Sequence, residues 1–185
     1  MILTITLGLV LAFEPAEPGV MQRQPRSPQA PLLSPFMLWR VLFVSLLFTA
    51  GVFATMAWAD LRGHGTELAR TMVVNVLCVL EITYLFNVRY LHMASFTWRG
   101  ARGTPAVLAA VAAVALAQLA FTYLPWMQML FDTRDVPLTD GLVLLGIALA
   151  SMLILEAEKA LLRRLGLFTE LLVHQRRQGA VPNHG

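Results

Sequence analysis

Apolar residues in this chain fall into several long runs separated by short polar stretches. One run extends from about Phe36 to Trp58, a second from Ala69 to Leu91, and a third from Pro105 to Leu124. A fourth extends from Thr139 to Leu165 and becomes amphipathic in its last turns. Each holds roughly 20 residues, the length that a hydrocarbon layer about 30 Å thick demands of a helix. Pro105 suits a first-turn position, where its missing N–H costs no hydrogen bond. The connections Ala59 to Leu68, His92 to Thr104 and Pro125 to Leu138 are short. The pattern predicts an all-α integral membrane helical bundle, with four full transmembrane helices over residues 36–165.

The first residues form a shorter element. Met1 to Ala12 is apolar from its first position, with no basic leader. As a helix it would span roughly 20 Å, too little for a layer of about 30 Å. We expect residues 1–13 to be the remnant of a transmembrane helix whose first half is missing. Residues 14–35 follow as a loop with prolines every few positions, which exclude helix and sheet. Residues 166–185 are polar and basic and read as a loosely ordered tail.

Composition agrees with a membrane protein. Hydrophobic residues make up 57% of the chain, against roughly 45–50% in soluble domains, and the mean hydropathy is +0.66. The net charge of +3 fits basic loops facing an anionic leaflet. It does not read as a nucleic-acid surface, because no aromatic stacking platform accompanies the basic residues. The single cysteine, Cys78, lies in an apolar run, so no disulfide framework exists. Basic residues cluster at Arg23, Arg26 and Arg40, at Arg89, Arg99 and Arg102, and from Lys159 to Arg177. These regions alternate along the crossings and are expected to face the cytoplasm with the C-terminus. Trp39, Trp58, Trp98 and Trp126 all fall near predicted interfaces, where an amphipathic ring is favoured.

Glu81 stands out near the midpoint of the second run, about 15 Å from either end by helical rise. A carboxylate at that depth is costly unless paired, protonated or hydrated, and such residues often belong to an ion or proton path. The structural alternative is a protonated glutamate bonded to a neighbouring helix. Asn75 and Gln118 read as interhelical hydrogen-bonding residues. Glu156 and Lys159 are one turn apart and can pair; with Glu158 they read as a structural anchor at the end of the fourth helix. His64, His92, His174 and His184 sit in loops or the tail without partners at metal-ligand spacing. Asp60, Asp132, Asp135 and Asp140 read as residues of the opposite loops.

The loop carries a specific wording. Phe13-Glu14-Pro15-Ala16-Glu17-Pro18-Gly19-Val20-Met21 leads into Arg23-Gln24-Pro25-Arg26, then Pro31-Leu32-Leu33-Ser34, then Trp39-Arg40. This resembles the loop between the sixth and seventh transmembrane helices of type II P-type ATPases, the ATP-driven cation pumps, and is closest in style to bacterial calcium-pump-like members. Ala69-Arg70-Thr71-Met72 resembles the opening of their eighth helix, and Phe86-Asn87-Val88-Arg89 resembles its close. The resemblance covers nearly the entire chain but only the C-terminal part of a pump.

The resemblance implies a function and a site. It implies the C-terminal membrane domain, or a fragment, of a pump in the bacterial inner membrane, bracing the transport helices. Glu81 falls where the family places a cation-coordinating glutamate, so it is the implied ion-binding or metal-binding residue. The family's sixth helix reads N-x-x-T-D-x-x-P-A, but here Leu3, Thr4 and Leu7 hold its threonine, aspartate and proline positions. Thr4 and Thr6 could add hydroxyl ligands. One carboxylate suits a proton or monovalent cation better than a caged calcium ion, which takes about 6–8 oxygens. No D-K-T-G-T run and no phosphate loop occur in these residues. This chain alone is therefore expected to hold no cofactor and not to hydrolyse ATP, whereas the complete pump would use ATP and magnesium. The implied partners are the lipid bilayer, the transported cation and the missing N-terminal part of the pump. A free-standing scaffold, a regulatory subunit, or a passive ion or proton conductor remain alternative readings.

Overall fold

A computed structural model describes residues 35–89 and 105–165. The expectations for residues 1–34, 90–104 and 166–185, including Thr4, Thr6, His92, Trp98 and the connection from His92 to Thr104, lie outside them. The described residues are helical, with no strand among them: α1 Pro35–Leu61, α2 Thr66–Arg89, α3 Pro105–Tyr123, α4 Pro125–Phe131 and α5 Leu138–Leu165. α1, α2 and α5 are each long and apolar enough to cross a membrane, and α3 with α4 makes a fourth crossing if that bent pair counts as one. The boundaries agree with the apolar runs to within about three residues. The exception is α4, because Pro125–Leu138 reads as a plain connection in the sequence. Pro125 opens α4 at its first turn, where proline is favoured, and α4 bends 77° away from α3.

α2 is central, touching α1, α3 and α5. Its Ala69, Met72, Val76 and Leu80 pack with Ala59 of α1 and with Leu144 and Ala148 of α5. Its Cys78 and Leu85 pack on the other side against Val107 and Val114 of α3. In lipid no hydrophobic force draws apolar helices together, so close packing and small residues decide the contacts. The buried residues of α1 are Phe36, Arg40, Gly51, Thr55 and Ala59, a single stripe at spacings near four. Thr55 returns its hydroxyl hydrogen bond to the Gly51 carbonyl at 2.9 Å, so it exposes no free polar group to the contact.

Gly51 sets the closeness of α1 and α2. A Cβ there would lie 3.0 Å from Leu80 Cδ1 and 3.6 Å from Ile147 Cγ2. Gly51→Ala needs only a small shift of the flexible Leu80 tip. Gly51→Leu must push α1 away, and we expect a loss of about 1–3 kcal/mol, typical of an overpacked core. Reversible unfolding in mixed detergent micelles checks this; equal stability of Gly51→Leu and wild type would refute the close contact.

The α1–α2 turn is equally defined. Gly63 takes the left-handed conformation, φ 68°. His64 N–H donates to Ala59 O at 2.9 Å, and Gly63 N–H to Asp60 O at 3.0 Å. These two bonds are the Schellman ending, which satisfies carbonyls that a helix end leaves open. The turn delivers Arg62 and His64 to the start of α5.

Candidate functional site

Three polar assemblies lie within the apolar bundle. The first joins the start of α1 to the ends of α2 and α5. Arg40 and Glu158 form a buried ion pair, and the Arg40 guanidinium also donates to Asn87 Oδ1. Trp39 Nε1 donates to the second Glu158 oxygen at 3.0 Å. Asn87 Nδ2 donates to Glu156 Oε1 at 3.1 Å. Lys159 Nζ reaches the same Glu156 oxygen at 2.9 Å and the Asn87 carbonyl at 3.1 Å. Arg40, Asn87, Glu158 and Lys159 are all buried. Cations and carboxylates balance here, as charges withdrawn from water require. Charge of this kind is tolerated in a membrane bundle only when it faces the interior and is paired.

The Glu156–Lys159 pair is the one legible in the sequence. The Arg40–Glu158 pair is not, although Arg40 is visible as a flanking basic residue. Its partner lies 118 positions away.

The second assembly closes the opposite end. Asp140, in the first turn of α5, is completely buried. It accepts from Trp58 Nε1 at 2.9 Å, contacts His64 Nε2 at 2.9 Å and lies 3.5 Å from Arg62 Nε. Asp140 is thus not a loop residue, and His64 has a partner. Trp58 is more than an interfacial ring, because its indole N–H ties α1 to α5. A carboxylate in the first turn of a helix is also favoured by the helix dipole.

The third assembly links α2 to α3. Asn75 Oδ1 accepts from Gln118 Nε2 at 3.2 Å and lies 3.1 Å from the Thr122 hydroxyl. Both residues therefore make the interhelical bonds that their position in apolar runs implies. Nearby, Arg134 N–H donates to Thr71 Oγ1 at 3.1 Å. The exposed Arg134 side chain meets Glu67 Oε2 through Nε at 2.7 Å. Its hydrogen bond to Glu67, then the Glu67 charge, holds the Arg134 pKa above its ordinary value. Being solvent-exposed, this pair adds little stability.

Glu81 belongs to none of the three. It sits at mid-helix in α2, half-buried, with its Oε2 shielded from solvent. Leu80, one residue or about 100° away, packs toward α1. Cys78, three residues back, packs toward α3. Glu81 lies on the flank between these two faces, with Arg70 and Val74, which are exposed. The described residues place no group of three or more His, Cys, Asp or Glu side chains where they could hold a metal.

The fold is a helical membrane bundle with a buried charge cluster at one end and a carboxylate midway along its central helix. The family model described as "Cation transporting ATPase, C-terminus" matches residues 1–161. The probable cation-transporting ATPase F of Mycobacterium tuberculosis (strain H37Rv) is 39% identical over 160 residues, covering 86% of this chain and 18% of the relative. The counterpart in Mycobacterium bovis matches equally, at 39%. Cation-transporting ATPase pma1 of Synechocystis is 36% identical over 141 residues, covering 74% of this chain and 16% of the relative. The chain belongs to the family of C-terminal domains of P-type cation-transporting ATPases, and it is an integral membrane protein. It spans less than a fifth of the length of these relatives.

Proposed function

We propose that this chain serves as the C-terminal membrane part of an ATP-driven cation pump of the bacterial inner membrane. In this reading α1, α2 and α5 form a rigid brace beside the transport helices, and Glu81 contributes one side of the ion site. Thr4 and Thr6 supply hydroxyl oxygens from the first residues of the chain. From the distribution of basic residues, this reading assigns the end that carries Arg40 and Lys159, and with it the C-terminus, to the cytoplasmic side.

The observation that carries the reading is the mid-helix position of Glu81 in α2. Glu156, Glu158 and Asp140 are tied into assemblies near helix ends. Glu81 alone of these lies at mid-depth, in the central helix α2. Asn75 and Asn87, on either side of Glu81 in α2, are tied to α3 and α5, which suits a ligand whose position must not drift. The relatives' names, cation-transporting ATPases, supply the substrate class.

The test uses the complete pump reconstituted in vesicles. Glu81→Gln keeps the shape and removes the charge. We expect the ion concentration for half-maximal ATPase stimulation to rise by tenfold or more, as for loss of about 1.4 kcal/mol or more of ion binding, with folding intact. Unchanged ion stimulation and transport would make Glu81 a structural residue.

A further inference from the structure

The least expected element of the fold is α4. Its outward side is strongly apolar: Trp126 is 62% exposed, Met129 88%, Leu130 70% and Phe131 55%. The opposite side is polar and pinned. Gln128 Nε2 donates to the Thr122 carbonyl at 2.8 Å and to Asp135 Oδ1. Thr133 Oγ1 donates to the Phe121 carbonyl at 2.9 Å, and Tyr123 Oη to the Val136 carbonyl at 2.9 Å.

These bonds fix where α4 can lie. The chain leaves α3 at Tyr123 and returns to the same level at Val136, because those two residues touch. A segment that leaves and returns at one level does not complete a crossing. α3 by itself has 19 residues, about 28 Å of helix, enough for the apolar layer. α4 is bent 77° from α3, so beside an upright α3 it runs nearly parallel to the membrane surface. α3 also exposes an apolar face, which carries Leu116, Leu119 and Tyr123. Leu116 and Leu119 lie in the spanning stretch, where exposed leucines meet lipid.

We propose that α4 is an interfacial anchor whose partner is lipid at the headgroup–acyl boundary. Trp126, Met129, Leu130 and Phe131 enter the boundary, while Gln128 and Asp135 stay with the protein and water. A tryptophan in this position suits the amphipathic interface. The loop hydrogen bonds hold α4 rigidly to the ends of α3 and α5, so the anchor sets the depth of both helices in the bilayer. The inference does not depend on ion transport by this chain.

The experiment places a nitroxide label on the full chain in vesicles of phosphatidylcholine and phosphatidylglycerol. Cys78→Ala supplies the background, and Met129→Cys, Leu130→Cys and, separately, Asp135→Cys carry the label. The expected result is a ratio of oxygen to nickel-chelate accessibility several-fold higher at Met129 and Leu130 than at Asp135. The depth should fall about 5–10 Å below the headgroup level. Equal nickel accessibility at Met129 and Asp135 would place α4 in water and overturn the proposal. A depth at the bilayer centre would make it a re-entrant segment, and inaccessibility to both reagents would mean that protein covers it. A second measurement needs no cysteine. Quenching by lipids brominated near the headgroup should be stronger for the wild-type chain than for Trp126→Phe, and equal quenching of the two overturns the proposal.

Discussion

Arg40→Met is expected to destabilise the bundle by about 3–5 kcal/mol, the usual cost of removing one partner from a buried ion pair. The substitution leaves Glu158 buried, with Trp39 Nε1 as a remaining donor. It also takes a donor from Asn87, which is completely buried. The charge balance of the cluster then shifts to net negative beside Glu156. The double variant Arg40→Met with Glu158→Leu removes both charges and should recover most of the loss, because a matched apolar pair avoids the desolvation of two ions. Equilibrium unfolding in mixed micelles separates the outcomes. Additive losses in the double variant, or a single variant as stable as wild type, would show that the pair is not a coupled unit. The expected position of the damage is one end of the bundle. Amide exchange should therefore rise first at the start of α1 and the ends of α2 and α5, and only later near Asp140.

Asp140→Ala should act on the opposite end, with a loss of about 2–4 kcal/mol, since hydrogen bonds to charged groups contribute about 1.5–3 kcal/mol each. Trp58 Nε1 and His64 Nε2 lose their shared acceptor. Arg62, half exposed at 46%, can turn to water and adds less. The first turn of α5 loses the carboxylate that its dipole favours, a further fraction of a kcal/mol. Asp140→Asn keeps one carbonyl oxygen and should lose roughly half as much. The direct readout is the indole N–H resonance of Trp58, which should move toward an unbonded shift in Asp140→Ala and stay near its native place in Asp140→Asn. An unmoved resonance in Asp140→Ala would exclude the Trp58–Asp140 bond.

The helices themselves could be read from the chain because bilayer thickness imposes one length on every crossing. Pro35, Pro105 and Pro125 stand at three of the starts, and Gly63 ends α1 where a left-handed residue is needed. α4 was hidden for a local reason. Seven residues after a proline resemble a loop, and what holds them helical is the set of hydrogen bonds from Gln128, Thr133 and Tyr123 to neighbouring carbonyls. Glu81 was visible because a carboxylate in an apolar run is rare on physical grounds. Its flank could not be assigned until Leu80 and Cys78 showed which faces were taken.

The amino-acid sequence on its own determined the number and limits of the long helices, the Glu156–Lys159 pair and membership of the cation-pump family through the wording around Phe13 to Arg40. Those features are local: residue spacing, proline and glycine chemistry, and length against the bilayer. The pairings Arg40–Glu158 and Trp58–Asp140, the close approach at Gly51 and the bend of α4 came only from the folded bundle. In lipid the buried and the exposed faces of a helix are both apolar, so hydrophobic periodicity does not report which face meets a neighbour. The residues that do report it are the few polar ones, and their partners lie tens of positions away, where only the packing of α1, α2 and α5 brings them together.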